Sequence, residues 1–588
     1  MANAAMLLFL AAWPASTAAE GAGSLVTDAA QPPGRLAQAP LSANDWLTGK
    51  APPPNTTSGW RPGDGVPPDA ARRRAPASDG QPGTGSAPQA PLPAADGGQQ
   101  PTGAIPPRPG ASQQPGVAGS ATPPPVTVTR LGQGNPDAAG VQSAQAAGLS
   151  PGLWQGMTAD AVADALARTD MRLPALRKML RRILTAQLEV PPPRNLPQGG
   201  LLLARVDRLI DQGDLPAARA LLQAAGPGNP QLFRRSFDLD LLTGEDAQAC
   251  AALSQRPGLV QDMATRIYCL ALNGDWAAAA VALHGAQPLG LVDPRTAALL
   301  ARFLDDAYAE QSEDLPPPPK PSPLVFRLYE SVGQPLPTPS LPLIYAWADL
   351  GENGGWKPRL EAAERLARAG LLPARQLHEI YSEQRPAASG GVWDRAAALQ
   401  AVIAALDAGD QTTLDTVLPA ALSRFAAAGL APELAGMIAD RLPAKPPAGG
   451  AAAPTVTLRL LAGLPVQPPA GTPSFPRWLA GFAAGSPPMP LPDNDPGGRA
   501  AALAPAFDDG ADAPAQGAVG TDAVQGQEAS GSGRALLGAM ADVDAGLDSD
   551  LGRAARGLAA LSALGHEATA RQAAVELMLL PTLPAARQ

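Results

Sequence analysis

Three turns of similar composition, 31 and then 30 residues apart, limit what this chain can fold into more than any other feature. Each has a glycine followed by one or two acidic residues, and each separates two segments rich in alanine and leucine. The glycines are Gly213, Gly244 and Gly274. A fixed period in this range is typical of helical-hairpin arrays. The sequence therefore predicts an all-α fold in which helical hairpins are stacked in a row.

The turn residues themselves predict where helices end and begin. Glycine just past a helix end can adopt the left-handed conformation that satisfies the last carbonyls, and a following aspartate can cap the next helix. A single hairpin cannot bury its apolar face, whereas stacked hairpins can; an irregular helical domain with similar turns is the alternative. The predicted turn residues are Gly213, Asp214, Gly244, Asp246, Gly274, Asp275, Gly409 and Asp410.

Composition separates low-complexity regions from helical regions in the remainder of the chain. With 69 prolines and 61 glycines in 588 residues, the sequence approaches the level typical of low-complexity segments, which cannot bury enough apolar area to fold. We predict six regions in this order: a signal peptide over 1–19, a disordered Pro/Gly-rich tether over 20–150, a helical entry unit over 153–190, the hairpin array over 201–442, a low-complexity linker over 443–533, and a C-terminal helical pair over 534–582.

The first 19 residues resemble a secretory signal. Residues 6–13 form a short apolar core, and small residues at 17–19 precede Glu20. Because residues 1–5 contain no Lys or Arg, a misassigned start or a fragment of a buried helix is the alternative. No later segment has the apolar length that a bilayer span requires. We therefore expect a periplasmic or otherwise exported protein without a transmembrane span after signal cleavage.

The two cysteines, Cys250 and Cys269, fall in predicted helices on either side of a loop near Gly258. Antiparallel helices joined there would bring the two sulfurs to similar heights. In an exported protein an even pair of cysteines favours a disulfide, which would stabilise the fold by on the order of 3 kcal/mol. Two buried thiols in a cytosolic helical core are the alternative.

No motif in the sequence indicates catalysis. His284, His378 and His566 are far apart, and none belongs to a zinc-protease helix. The chain also has no phosphate-binding loop and no nucleophile elbow. A net charge of −9 argues against a general nucleic-acid role. We therefore expect a protein that is not an enzyme and has no cofactor, although an enzyme with an unrecognised site is an alternative.

One predicted helix, over 174–188, has an apolar side and a basic side. A basic amphipathic helix can lie on anionic lipid or bind an acidic partner. The patch has only four charges and no flanking Trp or Phe, which favours the alternative of a solvated face on a helix docked to the array. The residues of this possible basic contact face are Arg177, Lys178, Arg181 and Arg182.

The hairpins resemble tetratricopeptide-like and related α-solenoid repeats over about 201–442, in turn placement and in the Ala/Leu pattern that follows Gly213. Their period is shorter than the roughly 34 residues of tetratricopeptide repeats. The whole layout looks like Ala/Pro-rich exported proteins of Gram-negative bacteria, some of which are labelled antifreeze-glycopeptide-like. The resemblance implies peptide or protein ligands. We expect a non-enzymatic periplasmic scaffold or adaptor that binds a protein partner through its helical-repeat surface; an envelope-structural protein whose Pro-rich segments contact cell wall or neighbouring proteins is the alternative.

Overall fold

Helices joined by short turns make up nearly all the regular structure of the computed structural model, which describes residues 135–226, 230–305, 313–351, 354–485, 490–507 and 532–584. Within these residues the strands are limited to one parallel pair, β1 (Gln142–Ser143) and β2 (Ala186–Gln187). The predicted all-α class is therefore confirmed. The predicted signal peptide and most of the predicted tether, residues 1–134, lie outside the described residues.

The α-helices follow one another along the chain as α1 Ala159–Arg168, α2 Pro174–Thr185, α3 Gly200–Gln212, α4 Leu215–Ala225, α5 Pro230–Thr243, α6 Asp246–Gln255, α7 Met263–Leu272, α8 Trp276–Ala286, α9 Pro294–Leu304, α10 Pro323–Ser331, α11 Trp356–Arg368, α12 Ala374–Ser382, α13 Val392–Ala408, α14 Gln411–Ala426, α15 Ala431–Ile438, α16 Ala452–Leu461, α17 Ser474–Ala483, α18 Arg499–Leu503, α19 Ser532–Asp544, α20 Leu551–Ala563 and α21 Glu567–Leu579. A 3-10 helix, Leu343–Leu350, lies between α10 and α11.

Successive helices pack as antiparallel neighbours, which makes the fold helical-repeat-like. Contacts join α3 to α4, α5 to α6, α6 to α7, α7 to α8 and α13 to α14. The turn glycines 213, 274 and 409 all have positive φ. Asp214, Asp275 and Asp410 each accept a hydrogen bond at 3.1 Å from the backbone N–H three residues further on. These turns therefore use the predicted chemistry.

The turn between α5 and α6 differs from the prediction at Asp246. Gly244 has the expected positive φ of 76°, but Glu245 takes the cap position without a side-chain capping bond. Asp246 is buried, and its Oδ2 accepts a hydrogen bond at 2.6 Å from the hydroxyl of Tyr268. The extra acidic residue in this turn moves Asp246 one position into α6. Its carboxylate pairs with α7 instead of capping α6, so the predicted turn role is wrong.

We expected the folded part of the chain to begin at residue 153, but it begins earlier. Asp137 is buried and accepts hydrogen bonds from Gly199 N at 2.9 Å and Leu202 N at 2.8 Å. It therefore supplies the first turn of α3 with a cap that Gly199 lacks. Arg205 is buried beside it and donates to the carbonyls of Leu184 and Ala186 at 2.8 Å each. Residues 135–150 therefore belong to the folded part, and this part of the predicted tether is wrong.

The segment that follows the array also differs from the prediction of a linker over 443–533. Helices α16 and α17 lie within it and bury Val456, Leu458, Trp478 and Phe482. The rings of Trp478 and Phe482 stack with centroids 5.3 Å apart. Short apolar helices between Pro- and Gly-rich turns resemble low complexity in composition. Residues 486–489 and 508–531 of the predicted linker lie outside the described residues.

The C-terminal helices pack against the entry unit. Helix α21 contacts α2 as well as α16, α17 and α20. Asp544 on α19 accepts hydrogen bonds from the backbone N–H groups of Arg172 and Leu173 at 2.8 and 3.0 Å. Glu576 on α21 accepts one from Ala175 N at 3.0 Å. Glu576 thus satisfies an amide in the first turn of α2, and Asp544 satisfies the two amides just before the helix, whose own N-cap side chain makes no capping bond.

Candidate functional site

The predicted disulfide is confirmed, and it fixes one hairpin of the array to the next. Cys250 on α6 and Cys269 on α7 are bonded, with their Cα atoms 5.0 Å apart. This separation lies within the limit of about 7 Å for a disulfide. Both residues are buried, and Tyr268 next to Cys269 bonds Asp246 on α6. The covalent bond and the hydrogen bond together hold α7 in place as the base on which α8 packs.

The basic residues of α2 are not a continuous free face. Arg181 forms an ion pair with the buried carboxylate of Asp214 at 2.6 Å. Arg177 donates to the backbone carbonyls of Arg172 and Arg368. Arg182 donates to Ala147 O at 3.4 Å and to the hydroxyl of Thr569 at 3.3 Å. Lys178 is exposed and, within the described part of the chain, forms no hydrogen bond or ion pair.

Three of these four residues line a cavity of about 1310 Å³ between α2, α11, α15, α16 and α21. Helix ends form much of its wall, because the C-terminal turns of α11 and α16 and the first turns of α2 and α15 all meet it. The basic lining residues are Arg172, Arg177, Lys178, Arg181, Arg365 and Arg368. The acidic lining residues are Asp170, Asp211, Asp214, Glu433, Asp440 and Glu576.

Burial changes the acidity of several groups in this cavity. Loss of hydration raises the pKa of Glu433 and that of Glu576 to about 7 each, against the opposing charge of Arg177. Burial also raises the pKa of Asp214, which its ion pair with Arg181 opposes. The same loss of hydration lowers the pKa of Arg177. One oxygen of Glu433, Oε2, is buried without a hydrogen-bond partner.

A second feature is the outer surface of α8 and the loop that follows it. Trp276, Val281, Leu289 and Leu291 are 47%, 74%, 72% and 54% exposed. These are four of the six large hydrophobic side chains that are exposed in the described residues. Residues 276–292 contain no Asp, Glu, Lys or Arg. We call this surface, formed by α8 and residues 287–291, the apolar α8 surface.

This surface faces outward because the main neighbours of α8 in the described part of the chain, α7 and α9, pack against its other side. Its buried residues Ala279, Leu283 and Ala286 pack toward α7 and α9. Trp276 contacts the ring of Phe303 on α9, with centroids 5.6 Å apart. The sequence analysis did not identify this surface. The run without a charged residue was the available signal.

The histidines noted in the sequence do not come together in the structure. The three histidines lie on separate elements, His284 on α8, His378 on α12 and His566 just before α21. Among the described residues there is no group of three or more His, Cys, Asp or Glu placed to hold a metal. None of the described helices has both the length and the hydropathy that a bilayer crossing requires. Searches of protein-family models, of curated proteins and of solved structures found nothing that matches this chain.

Proposed function

We propose that this protein is a non-enzymatic scaffold of the periplasm that binds a protein partner through its helical-repeat surface, at the apolar α8 surface. The observation that carries the proposal is the exposure of Trp276, Val281, Leu289 and Leu291 on a surface without charged residues. Contiguous exposed apolar patches mark interaction sites. Depletion of charged residues and enrichment of aromatic ones distinguish the cores of protein interfaces.

The residues around the patch favour a protein partner over a membrane surface. Peripheral helices that bind anionic lipid carry Lys or Arg beside their apolar face. Here the carboxylates of Asp262, Asp275 and Asp293 cap α7, α8 and α9, and α8 itself carries no Lys or Arg. The disulfide between Cys250 and Cys269 supports an oxidising compartment such as the periplasm.

A photo-crosslinking residue placed in the chain at three positions tests this proposal in cells. Position 281 is the most exposed of the four residues that define the apolar α8 surface. Position 556, exposed on α20, is the control within the folded part. Position 112 lies in the predicted tether. We expect a discrete protein adduct from position 281 and none from position 556.

The same experiment separates the alternatives. Adducts from position 112 alone would support the envelope-structural protein, whose Pro-rich segments make the contacts. Loss of the adduct from position 281 after Leu289→Lys would assign the contact to the apolar α8 surface, because a lysine there places a charge in the interface without changing a buried residue. No adduct from position 281 would overturn the proposal.

A further inference from the structure

The cavity next to α2 contains as many basic as acidic residues, so its net charge does not determine what it would bind. The deciding feature is which of these groups already have partners within the protein. A guanidinium that bonds a carbonyl or a carboxylate of its own chain offers few donors to a ligand. A group without such a partner gains hydrogen bonds when a ligand arrives.

The arginines of the cavity are all engaged. Arg172 bonds Asp544 and Asp548 through its side chain. Arg181 pairs with Asp214. The other three arginines donate mainly to backbone carbonyls. Arg177 bonds those of Arg172 and Arg368. Arg365 bonds those of Thr338 and Leu341, and Arg368 bonds that of Ala428. These five arginines therefore hold helix ends and loops of the protein together.

The groups left without partners are mostly acceptors. Asp211 at the end of α3 and Asp440 just after α15 are exposed, and neither forms a hydrogen bond or an ion pair within the described residues. The Oε2 atom of Glu433 also has no partner. Lys178 is the single unengaged cation that lines the cavity in the described part of the chain. Acceptors thus outnumber donors among the available groups.

Helix ends of both polarities meet the cavity, because the first turns of α2 and α15 face it as well as two C-terminal turns. The C-terminal turns of α11 and α16 meet the cavity at residues 369–371 and 461–464. A helix carries partial negative charge at its C-terminal end, which favours cations there. The carbonyls of Leu460 and Leu461 accept from Gln572, so α11 contributes more of this effect than α16.

We propose that this cavity binds a ligand with several ammonium or guanidinium groups, either a Lys/Arg-containing peptide segment or a polyamine. Its volume of about 1310 Å³ exceeds the roughly 300–1,000 Å³ of small-molecule pockets, which suits an extended chain with spaced cations. Asp211 and Asp440 bind two of the cations from different helices, and Glu433 accepts from a third donor. The site is separate from the apolar α8 surface and does not depend on it.

Isothermal titration calorimetry of the full-length protein at low salt tests the proposal. The probes are spermidine, a capped peptide with three lysines, and a capped peptide of the same length with three glutamates. We expect the two cationic probes to bind. The tighter of the two identifies the source of the cations as a polyamine or a protein segment.

Three variants locate the binding. The double variant Asp211→Asn, Asp440→Asn should weaken it by about tenfold, because two exposed charge contacts are lost. The control Asp164→Asn changes one exposed, unpaired carboxylate on α1, outside the cavity, and should alter the affinity by less than about twofold. Lys178→Gln should tighten binding by about threefold, since it removes the cation that repels the ligand.

Thermal unfolding of each variant, followed by circular dichroism, confirms that the fold is retained. The proposal is overturned if neither cationic probe binds, if the glutamate peptide binds more tightly than the lysine peptide, or if Lys178→Gln weakens binding. It is also overturned if the double variant binds the cationic probes as well as the parent does.

Discussion

The charged residues of α2 suggest an exposed helix and the lack of charge in α8 suggests a buried one, but the structure shows the reverse. Helix α2 carries four basic side chains, yet three of them bond other parts of the protein and its Leu176, Met179 and Leu180 are fully buried. Helix α8 has no Asp, Glu, Lys or Arg, yet Val281 is 74% exposed. The charged helix is internal to the fold, and the uncharged helix faces outward.

The difference comes from the number of neighbours, because a helix is buried on every side that another element covers. Helix α2 contacts α3, α4 and α21, while the main neighbours of α8 among the described residues are α7 and α9. Arginine suits the first situation because its long stem packs on apolar residues while its guanidinium reaches carbonyls at helix ends. Apolar side chains that remain exposed contribute little to the stability of the fold.

The largest expected effect is the difference in the free energy of unfolding between side-chain truncations on α2 and on α8. Leu180 is fully buried, so Leu180→Ala should lower the free energy of unfolding by about 4 kcal/mol through lost burial and a cavity. Val281→Ala removes an exposed side chain and should change it by less than about 0.5 kcal/mol. Chemical denaturation measures both. A large cost for Val281→Ala would mean that another part of the chain covers α8.

The second prediction concerns the carboxyl that caps α2. Burial raises the pKa of Glu576 from 4.5 to about 7, and Arg177 and Lys178 oppose this shift. Because the folded pKa is the higher one, the protonated carboxyl stabilises the fold below pH 4.5, and this contribution is lost as the pH rises to about 7. Glu576→Gln keeps a neutral acceptor for Ala175 N.

We therefore expect Glu576→Gln to match the parent near pH 4 and to exceed its free energy of unfolding by on the order of 3 kcal/mol at pH 8. Glu567→Gln is the control, since that carboxyl is exposed in the first turn of the same helix. Urea denaturation at both pH values gives the difference. If Glu576→Gln has the same pH dependence as the parent, Glu576 is ionised in the folded protein and the assigned cause is wrong.

A smaller difference is expected between the stability costs of replacing glycine by alanine in the turn beside α2 and in the turn before α8. Gly213 and Gly274 have φ values of 84° and 89°, so alanine at either position costs about 1 kcal/mol. At Gly213 a Cβ would also lie 3.0 Å from Leu343 Cγ, whereas at Gly274 it would meet nothing within 4 Å. We expect Gly213→Ala to cost about 2 kcal/mol in all, twice the cost of Gly274→Ala. Equal costs, measured by denaturation, would show that Leu343 moves aside freely.

The features that the sequence predicted correctly are those that depend on neighbours along the chain. The caps made by Asp214 and Asp275 and the positive φ of Gly213 require only a few adjacent residues. The disulfide needed one more step, the antiparallel pairing of α6 and α7. The rule that an aspartate after the turn glycine caps the next helix failed at Asp246, because this turn contains a second acidic residue, Glu245, which takes the cap position.

The cavity could not be predicted, because its residues come together from distant parts of the chain. The bond between Glu576 and Ala175 joins residues 401 positions apart, and no periodicity indicates such a pair. Helices α16 and α17 were missed because their short apolar runs lie among prolines and glycines. The run without charged residues in α8 is visible in the sequence, but its exposure depends on which helices pack against α8, which the sequence does not indicate.

The smallest expected effect is that of Lys178→Ala. Lys178 is exposed and without a partner in the described residues, so its loss should change the free energy of unfolding by less than about 0.5 kcal/mol. Arg181→Ala, one helical turn away, should cost about 2 kcal/mol, because it leaves the carboxylate of Asp214 buried without its ion pair. Denaturation of the two variants compares a free and an engaged cation on the same helix. Equal costs would show that Arg181 contributes no more than a surface charge, and the contrast between α2 and α8 would then rest on the apolar residues of α2 alone.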